Sequence, residues 1–595
     1  MERLRAREPY KTDKRLLLHG MKSSTLLRPQ RSTSSRDPKS VTSHAPHDTG
    51  EHGLQLPTGP TERGTIVATR LRTVQIATAV IVALILCAVF RTGLIRDLHS
   101  TLADQSWGRA QFAIGSAITS LYHGGYGYTI SDTIRHVLAT SGLTATTDML
   151  KAAGLTFPEN LRDPVVIENA IKTAIAHSWP FNPNEGVSGS SGEDIGLVDY
   201  VRLSFILFGE KVVGFFLTYF VLIGTSFLAA IIAFRRSPGI LAFFVLYAVA
   251  LFVMFHSTLL DLDVVGILDP RFLSTLSVVP AAHIALAMLV RLRPSAGQIG
   301  LVALQSAILI FGYWIRSSAF WTMLGLAAFA LVVAGYAAWR RQPKQLVRNW
   351  PFAVLAVLAA GHLLYASLVL HLVYHGANER PHHALWHALI FGMAQHPDWL
   401  AKHAAQFELG DAVPEMVAMK YLERHPPENP DAVYLTPDRK YLRIGVAETY
   451  KRKAFLEFLA NEPLFVLEAY FIHSPKLVKS AFERYLSAWH RWSVADWTII
   501  CLACLVSAAF LLAEMRGQRE FFCATLIMAG GFLLATGPVL ITAPGAHTLA
   551  DQFFMLIVVV LGLVVLSISF IGLIAATVYR SLAGKPSLSG TSPLT

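Results

Sequence analysis

The chain has 595 residues, of which 53% are apolar and only 15% charged. That balance excludes an ordinary soluble globule and points to a membrane-embedded chain. Much of the +11 net charge falls in the first 72 residues and in short basic joints, a pattern that sets orientation and attracts anionic lipid rather than nucleic acid.

Residues 1–68 are rich in Ser, Thr, Pro, Arg and His and predict a disordered, basic cytoplasmic tail. The first apolar run, 73–91 within a segment 69–91, follows Arg70 and Arg72. It lacks a small-residue cleavage site and is expected to be a retained signal-anchor. Residues 92–210 form a polar segment with helical periodicity near 104–121 and 165–177. Its turns are expected at the Gly/Tyr cluster 122–128 and the GVSGSSG loop 186–192. Past that loop, apolar residues at 197, 201, 205 and 208 predict an amphipathic helix lying at the membrane surface.

Residues 211–374 hold six apolar runs, at 211–234, 238–257, 272–292, 297–315, 318–339 and 350–374. A second polar segment, 375–496, shows helical periodicity at 414–424, 448–460 and 463–489, with a short hairpin expected at 434–441. Trp489, Trp492 and Trp497 beside Arg484, His490 and Arg491 make an aromatic and basic collar. Three last runs, 497–515, 520–543 and 551–579, lie within 497–580, and 581–595 is a short tail. All four cysteines, Cys87, Cys501, Cys504 and Cys523, fall inside apolar runs, so no disulfide framework is expected in the polar segments. Cys501 and Cys504 have CxxC spacing but no third or fourth ligand nearby.

Each of the ten runs approaches the ~20 residues that a helix needs to cross hydrocarbon. Every second joint is basic: Arg235–Arg236, Arg291 with Arg293, Arg340–Arg341 with Lys344 and Arg348, Arg516 with Arg519, and Arg580 with Lys585. The positive-inside rule then predicts an all-α polytopic protein with about ten spans and both termini in the cytoplasm. It also places 92–210 and 375–496 on the extracytoplasmic side. A bacterial inner membrane is the expected location.

Three clusters of ionisable residues lie on that side. Glu193, Asp194 and Asp199 surround the start of the amphipathic helix and suit a general base or a divalent-cation site. Glu193 and Asp194 equally suit a helix start, where carboxylates complement the dipole. The joint from His256 to Phe272 carries Asp261, Asp263, Asp269 and Arg271. Arg271 stands where positive-inside does not ask for a cation, and its guanidinium could grip a phosphate or pair with Asp269 or Asp263. The third cluster holds His375, His382, His383 and His387, with His396 and His403 beyond. His383 and His387 have the i, i+4 spacing of a zinc pair, but Ala384 stands where HEXXH needs its glutamate, so no metal site is assigned. An anionic or sugar ligand is the alternative.

Glu193-Asp194-Ile-Gly-Leu-Val-Asp199-Tyr200-Val-Arg202-Leu-Ser204-Phe205 resembles the acidic first-loop motif of the GT-C superfamily of polytopic glycosyltransferases. Pro270-Arg271-Phe272, with Pro280 downstream, is similar to that family's arginine at a later helix entrance. The resemblance implies an enzyme that takes a sugar from a polyprenyl-phosphate donor and gives it to an extracytoplasmic acceptor. Asp194, or Asp199 in its place, would then be the base, with Arg271 and Arg202 on the donor phosphate and helix 197–209 framing the lipid tail. A polymerase or ligase of surface polysaccharide shares this topology. A transporter or a non-catalytic membrane protein is the other class. Apart from His283 and His362 the runs carry almost no ionisable group, which runs against ion-coupled transport.

Overall fold

The computed structural model describes residues 72–90, 107–123, 129–130, 134, 137–138, 164–177, 188–189, 195–260, 268, 270–290, 292–316, 319–341, 347–373, 385–404, 412–428, 433, 444–487, 493–513, 515–542 and 550–582. Among them the chain is almost wholly helical. Among the described residues eight helices are long and apolar enough to cross a membrane, so the protein is built as a multi-pass membrane protein.

The helices in chain order are α1 Arg72–Phe90, α2 Trp107–Tyr122, α3 Pro164–Ala176, α4 Ile195–Phe208, α5 Val212–Ala233 and α6 Pro238–Leu260. After a single turn Pro270–Leu273 and a 3₁₀ turn Ser274–Ser277 come α7 Val278–Leu289, α8 Ala296–Ile315, α9 Ala319–Trp339 and α10 Trp350–Val373. A group of shorter helices follows: α11 Leu385–Ala394, α12 Pro397–Ala404, α13 Ala412–Arg424, α14 Ile444–Asn461 and α15 Pro463–Glu468. A π turn, Ala469–His473, joins α15 to α16 Ser474–Ser487. The last three are α17 Val494–Ala513, α18 Met515–Thr542 and α19 Ala550–Leu582.

The described residues of all ten apolar runs lie in helices or at their ends. One described stretch is short for a full crossing, Ser274–Leu289. Within it Pro280 cannot donate the backbone bond to Leu276 that an α-helix requires there. The chain before it tightens into the 3₁₀ turn, whose hydroxyls bond backward, Thr275 Oγ1 to Phe272 O at 2.7 Å and Ser277 Oγ to Ser274 O at 2.6 Å.

α6 is apolar around its whole circumference, and every residue from Ile240 to Met254 is buried. Such a helix belongs in a core. It sits among α5, α17, α18 and α19. Its start lies so close to the start of α18 that a Cβ on Gly239 would meet Gly517 O at 2.1 Å. Small residues permit such backbone contact between apolar helices, where lipid supplies no hydrophobic drive of its own. α9 and α10 are peripheral, with Leu331, Val332, Leu363 and Leu364 exposed.

The GVSGSSG stretch contributes a two-residue strand: Ser188–Gly189 pairs antiparallel with Thr129–Ile130, in the register Thr129↔Gly189 and Ile130↔Ser188. In α4 the apolar stripe Leu197, Val201 and Phe205 is buried against α2, α5 and α8. The stripe faces protein, and Ile206 and Leu207 are the residues turned outward. The expected hairpin at 434–441 lies outside the described residues.

Candidate functional site

The seating of α4 is fixed at its first turn. A Cβ on Gly196 would stand 2.3 Å from Ile315 N and 2.4 Å from the Trp314 carbonyl carbon, so only glycine lets α4 touch the end of α8. One turn later Asp199 emerges beside Trp314. Its Oδ1 accepts from Arg202 Nη1 at 2.8 Å, and Arg202 Nε donates to Ser120 Oγ on α2 at 2.7 Å. Ser120 in turn donates to Ala117 O at 3.0 Å. Arg202 is thereby forked between α4 and α2, a geometry that orients the Asp199 carboxylate.

Asp199 lines a cavity of about 680 Å³ whose other walls are Trp314 and Phe311 of α8 and Val357, His362 and Tyr365 of α10. His362 packs edge-on against Trp314, centroids 5.2 Å apart. The site is an apolar and aromatic chamber with a carboxylate and an imidazole in its walls. Two other cavities, about 500 Å³ among α7, α9 and α18 and about 560 Å³ between α17 and α19, have almost entirely apolar linings.

The same helix ties the acidic motif to the arginine motif. Tyr200, fully buried, donates its hydroxyl to Phe215 O on α5. One turn along α5, Tyr219 hydrogen-bonds Thr275 Oγ1 at 2.9 Å, and its ring lies 5.2 Å from that of Phe272. α4 and the turn that contains Arg271 thus both dock on α5, about 6 Å apart along its axis. At the far side of this corner Tyr122 donates to Glu210 Oε1 at 2.6 Å. Burial and that bond push the phenol up to about 12, and the bond draws Glu210 below the usual carboxylate range.

Of the residues singled out from sequence, Asp199 and Arg202 are brought together here. Glu193, Asp194, Asp263, Asp269 and His383 lie outside the described residues. His256 falls near the end of α6 and Arg271 in the turn Pro270–Leu273; the side chains of both are likewise outside them. Among the described residues no three His, Cys, Asp or Glu side chains gather as metal ligands.

The third cluster resolves differently. His387 Nδ1 on α11 is 3.3 Å from Lys451 Nζ and 3.6 Å from Glu415 Oε1. Lys451, 4% exposed, also reaches Glu415 and Glu448, and Glu448 Oε2 accepts from Trp386 N at 3.1 Å. Burial alone would raise Glu415, but the His387 bond and the Lys451 ammonium hold it below the usual range. His396 is buried with its ring 4.6 Å from Phe465 and 5.0 Å from His473. His403 packs at a tilt against Trp399 and edge-on against Phe458, with Nε2 3.7 Å from Glu462. These histidines build the interior of a helical subdomain.

Sequence reasoning missed His362 as a wall of the Asp199 chamber, because nothing local marks which helix will face α4. It also missed Lys451. Its signal was a cation on the stripe Ala447, Lys451, Ala454, Phe455, where helical spacing asks for apolar residues.

Comparison of the chain with protein-family models, curated proteins and solved structures gives no match.

Proposed function

We propose that the protein is a ten-span membrane enzyme with both termini in the cytoplasm. It acts like a glycosyltransferase at the outer face of a bacterial inner membrane. The donor would be a polyprenyl-phosphate-linked sugar and the acceptor an extracytoplasmic hydroxyl. The observation that carries this reading is the Asp199 chamber: a carboxylate held by an arginine, in a largely apolar and aromatic cavity that also holds His362, beside a helix that also seats the Arg271 turn.

In the proposed reaction the acceptor oxygen attacks the anomeric carbon, and its proton passes to Asp199. The bond to the polyprenyl phosphate breaks with its electron pair going to the phosphate oxygen. Arg271 is the candidate to stabilise that charge. Arg202 already holds Asp199, so its contribution is to aim the carboxylate as well as to add positive potential. Asp194, with Glu193, is the second candidate base, and a divalent cation held by these carboxylates is the candidate cofactor.

The test is sugar transfer from a polyprenyl-phosphate donor in membranes carrying Asp199→Asn, with Asp194→Asn in parallel. Loss of the base costs about 10²–10⁴ in rate, with membrane level unchanged. Full activity in Asp199→Asn removes that residue from the chemistry. Loss confined to Asp194→Asn assigns the base there. No transfer by the unaltered protein from any such donor sinks the enzyme reading.

A further inference from the structure

The segment that joins α14 to α16 carries an apolar face turned away from the protein. Leu464 is 81% exposed, Phe471 67% and Ile472 54%, with Leu467, and Leu456 and Leu459 at the end of α14, also open. The opposite face is packed: Val466, Ala469 and Tyr470 are buried, and Tyr470 donates its hydroxyl to Leu389 O at 2.8 Å. The π turn Ala469–His473 adds a residue between the two helices, and Ser474 Oγ bonds Ala469 O across it at 3.0 Å. That extra residue widens the outward face so that Phe471 and Ile472 project together.

This face does not stand free of the membrane bundle. α16 is fastened to the late part of α18 and the start of α19, through Phe482 on Phe532 at 6.0 Å and on Phe553 at 6.3 Å. Val478 packs in one cluster with Val539. Next to that contact on α18, Leu533 and Leu534 are exposed, so the lipid-facing wall of the bundle begins there. Following the apolar residues on the outward side come Lys476 and Lys479, both exposed. Long basic side chains beside an apolar stripe place their ammonium groups at lipid phosphates while their stems stay in the apolar layer. Glu468 and Glu483 lie on the same side, Glu483 3.6 Å from Lys479, which fits headgroup depth rather than the hydrocarbon centre.

We propose that residues 456–479 seat this face in the leaflet adjoining the end of α18, with Leu464 and Phe471 in the acyl region and Lys476 and Lys479 at anionic headgroups. The subdomain α11–α16 is then held against the membrane as a monotopic element. This requires only that the bundle spans a bilayer and is independent of any catalytic activity.

The test uses the full chain in nanodiscs of mixed zwitterionic and anionic lipid, its four native cysteines replaced by alanine. Spin labels are placed at Leu464→Cys and Phe471→Cys, with Glu423→Cys on α13 as reference. The expected result is relaxation by oxygen in excess of a water-soluble nickel chelate at 464 and 471, and the reverse at 423. Labels at 464 and 471 that behave like 423 overturn the proposal. Labels shielded from both reagents also overturn it, because a protein partner or a second copy then covers the face. With the cysteines retained, Leu464→Trp reads the same contact: its added fluorescence should be quenched by lipids brominated on the acyl chain, and unquenched emission counts against the proposal. Lys476→Glu with Lys479→Glu should lower oxygen access at 471 in anionic but not in zwitterionic discs. No change in anionic discs would overturn the headgroup assignment.

Discussion

Lys451 shows what a single residue can conceal in a sequence. Helical spacing shows that it lies on the inward side of α14, yet spacing says nothing of its partners, Glu415 and His387, which come from other helices. Buried charges of this kind are stable only when paired, and removal of one partner leaves the other uncompensated. Lys451→Met should therefore destabilise the α11–α16 subdomain by about 3 kcal/mol, read as a fall in thermal midpoint. Glu448→Gln in the same chain should return part of the loss. Equal stability of Lys451→Met and the parent would mean the cluster is solvated. Asp199 was legible as a candidate for the opposite reason, since its motif is contiguous in the chain. Its chamber was not, because Trp314 and His362 are more than a hundred residues away.

At the scale of elements, the periodicity of α4 identified the helix and its apolar stripe but assigned that stripe to the membrane. The stripe meets α2, α5 and α8 instead, and the information that decides this is Gly196, a residue that a propensity scale reads only as unfavourable to a helix. Gly196→Val should push α4 off α8 and deform the cavity that Asp199 lines. Protease sensitivity near residue 195 should rise, while the α11–α16 subdomain stays folded. An unaltered digestion pattern would show that the contact is dispensable.

The short helices carry their own pH response. Packing removes water from His403 and His473 and lowers both below the ordinary imidazole value of 6.5. The unfolded chain then takes up protons first, so their contribution to stability is present at neutral pH and fades below about 6.5. Glu462, hydrogen-bonded to Lys402, and Glu415 sit below the ordinary 4.5, and their contribution fades below that value. Thermal melts of the purified protein should be flat above pH 7, decline below about 6.5 and decline again below about 4.5. A melting point that climbs on acidification would contradict this.

At the scale of the molecule, the ten apolar runs were legible because hydrocarbon imposes one length and one composition on anything that crosses it. Their arrangement was not, since all ten are alike in composition and only packing distinguishes the centre from the rim. The proposed topology has a direct test. Reporter fusions after residues 150 and 430 should report the exported side, and fusions after 345 and 590 the cytoplasm. One reversal would break the ten-span arrangement.

The position of α6 also sets a timetable. It is made early, yet three of the helices that surround it, α17, α18 and α19, begin only at Val494. At a synthesis rate of about 5–20 residues per second, α6 waits on the order of ten to fifty seconds for its neighbours. During that interval its future inner surface must be sheltered by lipid or by the insertion machinery. The bundle therefore closes from its carboxy-terminal end, after translation of the last helices. A chain stopped after residue 493 should insert but be cleared by quality-control proteolysis, and supplying residues 494–595 as a separate polypeptide should extend its lifetime.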